Sequence, residues 1–222
     1  FLYWYNGVNP HITSCKVLGN VNAKSEGVMS YADYAAAELE TEVTVEAYVQ
    51  ATQSWWNDQI TAYLCDADGA YFAYNMACTE DDAKKLVPGT RILVKGTKSE
   101  WSGEVEIVDA TFEFEEGSWT AEATDVTSLL GTDNLIKEQN KFVSMKGMTV
   151  LAYNEGSDEG FAYKSSRGDD LYFRVAKGNA IIELCVESYL RGQDTDAVSA
   201  VREIQKELVL SVDILPACIR SP

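Results

Sequence analysis

Six aromatic residues stand where their rings can meet a flat ligand: Trp55, Trp56, Tyr63, Phe72, Tyr74 and Trp101. Tyr63, Phe72 and Tyr74 fall on two successive β-strand patterns, and the three tryptophans fall in the loops beside them. An aromatic face stacks on a base, a sugar or a proline, which makes these six the candidate ligand-binding residues. Rings of this size also bury large areas, so about half or more of them are expected to be structural, plugging the barrel ends or covering the core.

Residues for catalysis or metal binding do not assemble in the same way. Asp66-Ala67-Asp68-Gly69 has the acids of a calcium loop, but the twelfth position, where a bidentate glutamate is required, is Ala77. It reads as a turn. Glu80-Asp81-Asp82 reads as the acidic first turn of a helix. The single histidine, His11, lies beside Pro10 with no evident nucleophile, and Cys15 would have to cross a hairpin to reach it. Cys15, Cys65, Cys78, Cys185 and Cys218 form no CxxC pair, which argues against zinc, and strand cysteines read as small buried hydrophobes. Arg167-Gly168-Asp169 is too short a triplet to mean adhesion. No cofactor, no metal and no enzymatic activity are expected.

Eighteen basic against thirty-five acidic residues give a net charge of −17. A polyanion is repelled at long range by such a chain, and no run of Lys or Arg offsets this, so nucleic acid is disfavoured as a partner. No apolar run reaches the ~20 residues that cross a bilayer as a helix. The opening FLYWY has no basic region before it and is not read as a signal peptide.

The elements that must hold the aromatics in place follow from alternation and turn chemistry. Val43, Val45, Ala47 and Val49 alternate with polar residues, predicting a strand over 42–51. Residues 59–76 predict a hairpin around Asp66 to Gly69, with Gly69 supplying a positive φ. Ser30 with Asp33 caps a short alanine-rich helix to about residue 40, and Thr79 begins a second. Strands over 91–95 and 105–112 complete the set. Three strands, a short helix and two strands are the order of a five-stranded Greek-key barrel, the OB-fold.

A second pass follows. Strands are predicted over 142–153, 160–164, 171–175, 180–187 and 208–214, with a helix from Asp194 bearing Val198, Val201, Ile204 and Leu208. The fold class is therefore mainly β, with two OB-like five-stranded Greek-key barrels and short helices. The domains are a hairpin over 1–18, a first barrel with its leading helix over 30–116, a connector over 117–140 and a second barrel over 141–222. The second barrel lacks a closing strand. Trp4-Tyr5-Asn6-Gly7 followed by Ile12 parallels Trp101-Ser102-Gly103 followed by Ile107, so the hairpin over 1–18 either closes the second barrel or is the tail of a preceding repeat. Docking or strand exchange through 1–18 is physically favoured, since an exposed edge invites pairing.

The stretches VEAYVQATQSWWNDQITAYLCDADGAYFAYNMAC, VPGTRILVKGTKSEWSGEVEIVDATFE and LYFRV with CVESYL resemble OB-like tandem repeats of secreted proteins of gut Clostridia, surface lipoproteins of unassigned activity. In that pattern a segment like FLYWYNGVNPHITS closes the second repeat. The resemblance implies an extracellular or cell-surface setting and transfers no catalytic residue. The expected function is a non-catalytic binding module whose partner is a carbohydrate, a peptide or a protein. The alternative is an OB module for single-stranded nucleic acid, accessory to an extracellular nuclease, with an affinity for oligonucleotides that depends on salt.

Overall fold

The computed structural model describes residues 24–154, 161–165, 169–186, 188 and 210–214. The hairpin over 1–18 and the helix predicted from Asp194 lie outside them.

Alternation builds the first barrel. In β1 (Glu42–Thr52) Val43, Val45, Ala47 and Val49 face inward, and β2 (Gln59–Cys65) adds Ile60, Ala62 and Leu64. β3 (Ala70–Ala77) contributes Tyr71, Ala73 and Met76 to the same core, β4 (Thr90–Trp101) Ile92 and Val94, and β5 (Glu104–Ser118) Ile107 and Ala110. The strands close in the order β1-β2-β3-β5-β4, with β4 returning to β1 through the antiparallel run from Glu42↔Thr97 to Tyr48↔Arg91. The last gap is crossed in parallel at Ala73↔Ile107. This is a mainly β protein whose first unit is a closed five-stranded OB-type barrel.

Short helices seal the ends. α1 (Tyr31–Ala36) is capped by Ser30, whose hydroxyl accepts the Asp33 N–H, and it ends at Ala36, about four residues short of the predicted end. It drops Tyr34 onto Tyr71, with centroids 4.9 Å apart, while Tyr31 meets the same ring edge-on at 5.5 Å. Lys98, 6% exposed, sends its ammonium to the carbonyls of Tyr34, Ala35 and Ala37 at 2.7–3.0 Å, satisfying the open end of the helix. α2 (Glu80–Ala83) has Thr79 as its cap and turns back at Gly89, where φ is +93°.

Asp66 proves to be a structural hinge of the β2–β3 turn. One carboxylate oxygen accepts the N–H groups of Asp68 and Gly69, and the other accepts the Tyr71 hydroxyl at 2.9 Å and pairs with Lys24 at 2.7 Å. Gly69 is not among the residues with positive φ, contrary to expectation. A Cβ placed there would lie 2.3 Å from ring carbons of Tyr31, so the glycine is required for helix docking and not for turn conformation.

The connector packs on the barrel. Trp119 meets Tyr48 edge-on at 5.6 Å, and the Ala121 N–H donates to the Gln50 carboxamide. Gln139 accepts from Val105 N–H at 2.9 Å and donates to the Gly103 carbonyl at 2.7 Å, and Asn140 donates to the Val105 carbonyl. Two amide side chains thus take the place of a ladder along the edge of β5.

The second unit has a separate core of Val126, Val143, Met145, Met148, Phe161, Leu171, Phe173 and Val175. A two-residue strand unforeseen from the sequence, β6 (Thr124–Asp125), runs parallel to β7 (Val143–Leu151), and β8 (Phe161–Tyr163) lies on β9 (Leu171–Lys177). With β10 (Ala180–Val186) and β11 (Leu210–Ile214) the path is β10-β9-β7-β11. β7 gives its first part to β11 and its last part to β9, the same division that β1 makes between β4 and β2. No strand among the described residues joins β10 to β11. No helix among them is long and apolar enough to cross a membrane.

Candidate ligand groove

The connection from β1 to β2 is tighter than its sequence suggests. Trp56 and Gln59 exchange backbone hydrogen bonds at 3.0 and 3.1 Å across Asn57 and Asp58, whose φ angles are +51° and +58°. Two left-handed central residues define a type I′ turn, and Asn and Asp are the side-chain types that tolerate it. The Asp58 carbonyl then accepts the Cys78 N–H at 2.9 Å, tying the turn to the end of β3. The backbone under Trp56 is fixed, yet its indole is 74% exposed.

Trp55 turns the other way. Its indole N–H donates to the Cys78 carbonyl at 2.9 Å and its ring packs against the barrel core. Between the two tryptophans and the strand ends lies a groove of about 340 Å³, lined by Gln53, Ser54, Trp55, Trp56, Gln59, Ile60, Thr61 and Asn75. That volume is at the small end of the ~300–1,000 Å³ typical of ligand sites. Every polar group in the lining is uncharged. The groove offers ring faces, carboxamides and hydroxyls, which suits a planar heterocycle. A second depression, about 410 Å³, lies beside Cys78, Asp82, Phe112 and Phe114. Burial, with a smaller contribution from Asp82, pushes the Cys78 thiol up to about 11, so it is a poor nucleophile there.

The floor of the groove contains a feature that alternation conceals. Asn75 sits in a bulge at φ +48°, where the β2–β3 register shifts between Ile60 and Ala62. The hydroxyl of Thr61, which is 1% exposed, accepts the Asn75 N–H at 3.0 Å and donates to its Oδ1 at 3.2 Å. The asparagine is held at both its backbone and its side chain.

The six candidate aromatics do not form one surface. Trp55 and Trp56 line the groove. Tyr63, Phe72 and Tyr74 form a row on the outer face of the barrel, with centroid spacings of 4.9 and 6.2 Å, but Tyr63 and Phe72 are only 4% and 5% exposed. Tyr74, at 43%, is the accessible end of the row. Trp101 is 68% exposed and ends β4, beside the start of β1, whereas Trp56 follows the end of β1. Sequence reasoning missed Gln53, Gln59, Thr61 and Asn75. Alternation gave no signal for Asn75, because the strand bulges there and the inward set passes from Ala73 to Met76.

No family description and no curated protein matches this chain. Among solved structures it is similar to a chain of the S. pombe Stn1–Ten1 complex, at 17% identity and a TM-score of 0.29, over 34% of this chain and 58% of that one. It is similar to a chain of a Replication Protein A heterotrimer bound to ssDNA, at 15% identity and a TM-score of 0.33, over 80% of this chain and 45% of that one. It is also similar to the Ifi202 HINa domain in complex with 20bp dsDNA, at 14% identity and a TM-score of 0.34, over 70% and 79% of the two chains. The chain thus spans just under three fifths of the first of these and less than half of the second.

The expectation of a carbohydrate, peptide or protein partner, with nucleic acid set aside, is corrected here. Two of these similar structures are complexes with DNA. The chain's net charge of −17, on which that expectation rested, does not describe the groove, whose lining carries no charge.

Proposed function

We propose that this chain is a non-catalytic module that binds a short stretch of single-stranded nucleic acid in the groove beside Trp56. The observation that carries this reading is Trp56 itself, held 74% exposed on a rigid type I′ turn next to an uncharged, amide-lined groove. An exposed ring on a fixed backbone stacks on a base with little ordering cost, and such stacking contributes about 1–3 kcal/mol per base. The absence of charge in the lining fits a site that takes the base and leaves the phosphates in solvent. The resemblance to secreted repeat proteins supports an extracellular or surface setting for the module.

This reading departs from ordinary phosphate-driven binding in one measurable way. A protein that neutralises phosphates loses affinity steeply as salt rises, whereas here few or no counterions are released. Salt also screens repulsion between the oligonucleotide and the acidic chain. Titration of tryptophan fluorescence with single-stranded octanucleotides should show binding at low ionic strength with a flat or rising dependence of affinity on salt. Failure of every such oligonucleotide to bind at any ionic strength would reject the proposal.

A further inference from the structure

The groove carries a specificity of its own, an inference that rests on the function proposed above. We propose that Asn75 selects pyrimidine bases over purines by donating to the C2 carbonyl, with Gln59 pairing the rest of the base edge.

The argument begins with what is fixed. Thr61, almost fully buried, grips the Asn75 backbone N–H and Oδ1 together, and the positive φ of Asn75 sets the direction of the side chain. With Oδ1 engaged by Thr61, the group that Asn75 has to offer is its Nδ2, which donates to nothing among the described residues. A donor aimed from a fixed position reads an acceptor at one point of a ligand.

Gln59 supplies the adaptable part. Its carboxamide lines the same groove and forms no hydrogen bond among the described residues, while its backbone is locked by the exchange with Trp56. A carboxamide presents a donor and an acceptor side by side and reverses them by rotation. In one orientation it pairs with the N3–H and C4 carbonyl of uracil or thymine. In the other it pairs with N3 and the amino group of cytosine. In both cases the remaining group on the Watson–Crick edge is the C2 carbonyl, an acceptor, opposite Asn75. Adenine presents a C–H at that point and guanine an amino donor, so a purine leaves the Asn75 amide unpaired or opposed. A half-buried donor that a stacked base seals from water and leaves unpaired weakens binding, and a matched pair discriminates by about tenfold or more.

The test separates base reading from stacking. Pentanucleotides carrying one base flanked by abasic positions remove neighbour stacking, and DNA and RNA versions with thymine, uracil, cytosine, adenine and guanine distinguish the two sources of the base. The expected result is that thymine, uracil and cytosine each bind about tenfold more tightly than either purine. Asn75→Asp tolerates the left-handed backbone and replaces the donor by an acceptor. It should abolish the pyrimidine preference and turn it toward guanine, whose amino group then meets an acceptor. Thr61→Val, which removes the grip and keeps the volume, should lower the same ratio with the thermal melt checked in parallel. Equal affinity for all bases in the native protein would overturn the inference, as would a preference unchanged in both variants, and either would leave the stacking function standing. Failure of any oligonucleotide to bind would remove the function beneath it.

Discussion

Trp56 and Trp101 occupy the same position in two separate hairpin turns. Each immediately precedes a pair of left-handed residues, Asn57 and Asp58 at φ +51° and +58° in one, and Ser102 and Gly103 at +51° and +81° in the other. Each turn locks its backbone, and each indole stays largely exposed, at 74% and 68%. Trp56 lines the groove described above, and Trp101 lines neither that groove nor the depression beside Cys78.

That difference predicts unequal roles. Trp56→Ala should weaken oligonucleotide binding by about tenfold or more, in line with the loss of one stacked base. Trp101→Ala should change it less than about twofold, because Trp101 lies at the other end of β1. Fluorescence anisotropy with a labelled octanucleotide measures both. Equal losses would show that the binding surface is not the groove.

Lys98 supports the fold from inside. Its ammonium satisfies three carbonyls at the end of α1 and lies 5.3 Å from the Tyr34 ring centroid. Lys98→Met keeps the stem and leaves those carbonyls without their donor, which should destabilise by about 2 kcal/mol. For a chain of this size the melting temperature should fall by roughly 4–8 °C, measured by circular dichroism.

Acid sensitivity should trace in part to Glu46. Desolvation alone would raise its pKa, but hydrogen bonds from Ser25 and Arg91 outweigh it and hold the carboxyl below its ordinary value of 4.5. A lowered folded pKa means that the unfolded chain binds the proton first. The stability contributed by this group is therefore complete above its unfolded pKa and is lost as pH falls through the folded one. In urea melts across that range, Glu46→Gln should show a shallower fall in stability with acid than the parent, although it starts lower at neutral pH.

The thiols of Cys65 and Cys78 should be slow to react. Burial, reinforced by Asp66, pushes Cys65 up to about 12, and Cys78 stands near 11. Little thiolate exists at pH 8 under those conditions. Iodoacetamide should leave both residues unmodified in the native protein and label both in guanidinium, with peptide mass mapping as the readout.

The barrel could be read from the chain because its strands obey the simplest rule available, alternation against a single core. The inward set from Val43 to Ala110 and the caps Ser30 and Thr79 all follow from local pattern. What escaped depends on contacts distant in sequence. Gly69 is required by Tyr31, thirty-eight positions earlier, and not by its own turn. Lys98 looks like one more strand residue until α1 is placed over it. The candidate site was legible only in its rings, since Trp55 and Trp56 differ by one position and diverge between core and solvent. Asn75 became a site residue through a register shift that no periodicity records.

Gln139 and Asn140 carry a consequence for how this chain can be taken apart. Their amides cover the edge of β5 between Gly103 and Val105, and Trp119 and Ala121 lie on the outer face of β1. A fragment cut at residue 116 would uncover a strand edge and strand an aromatic partner, inviting self-association. A fragment cut at residue 140 would keep those covers but separate Thr124 and Asp125 from β7 and Val126 from the second core, so neither cut leaves a clean surface. In engineering terms the connector is shared, its two ends lying on the first barrel and its middle on the second unit, so the two cannot be parted at a single point within it.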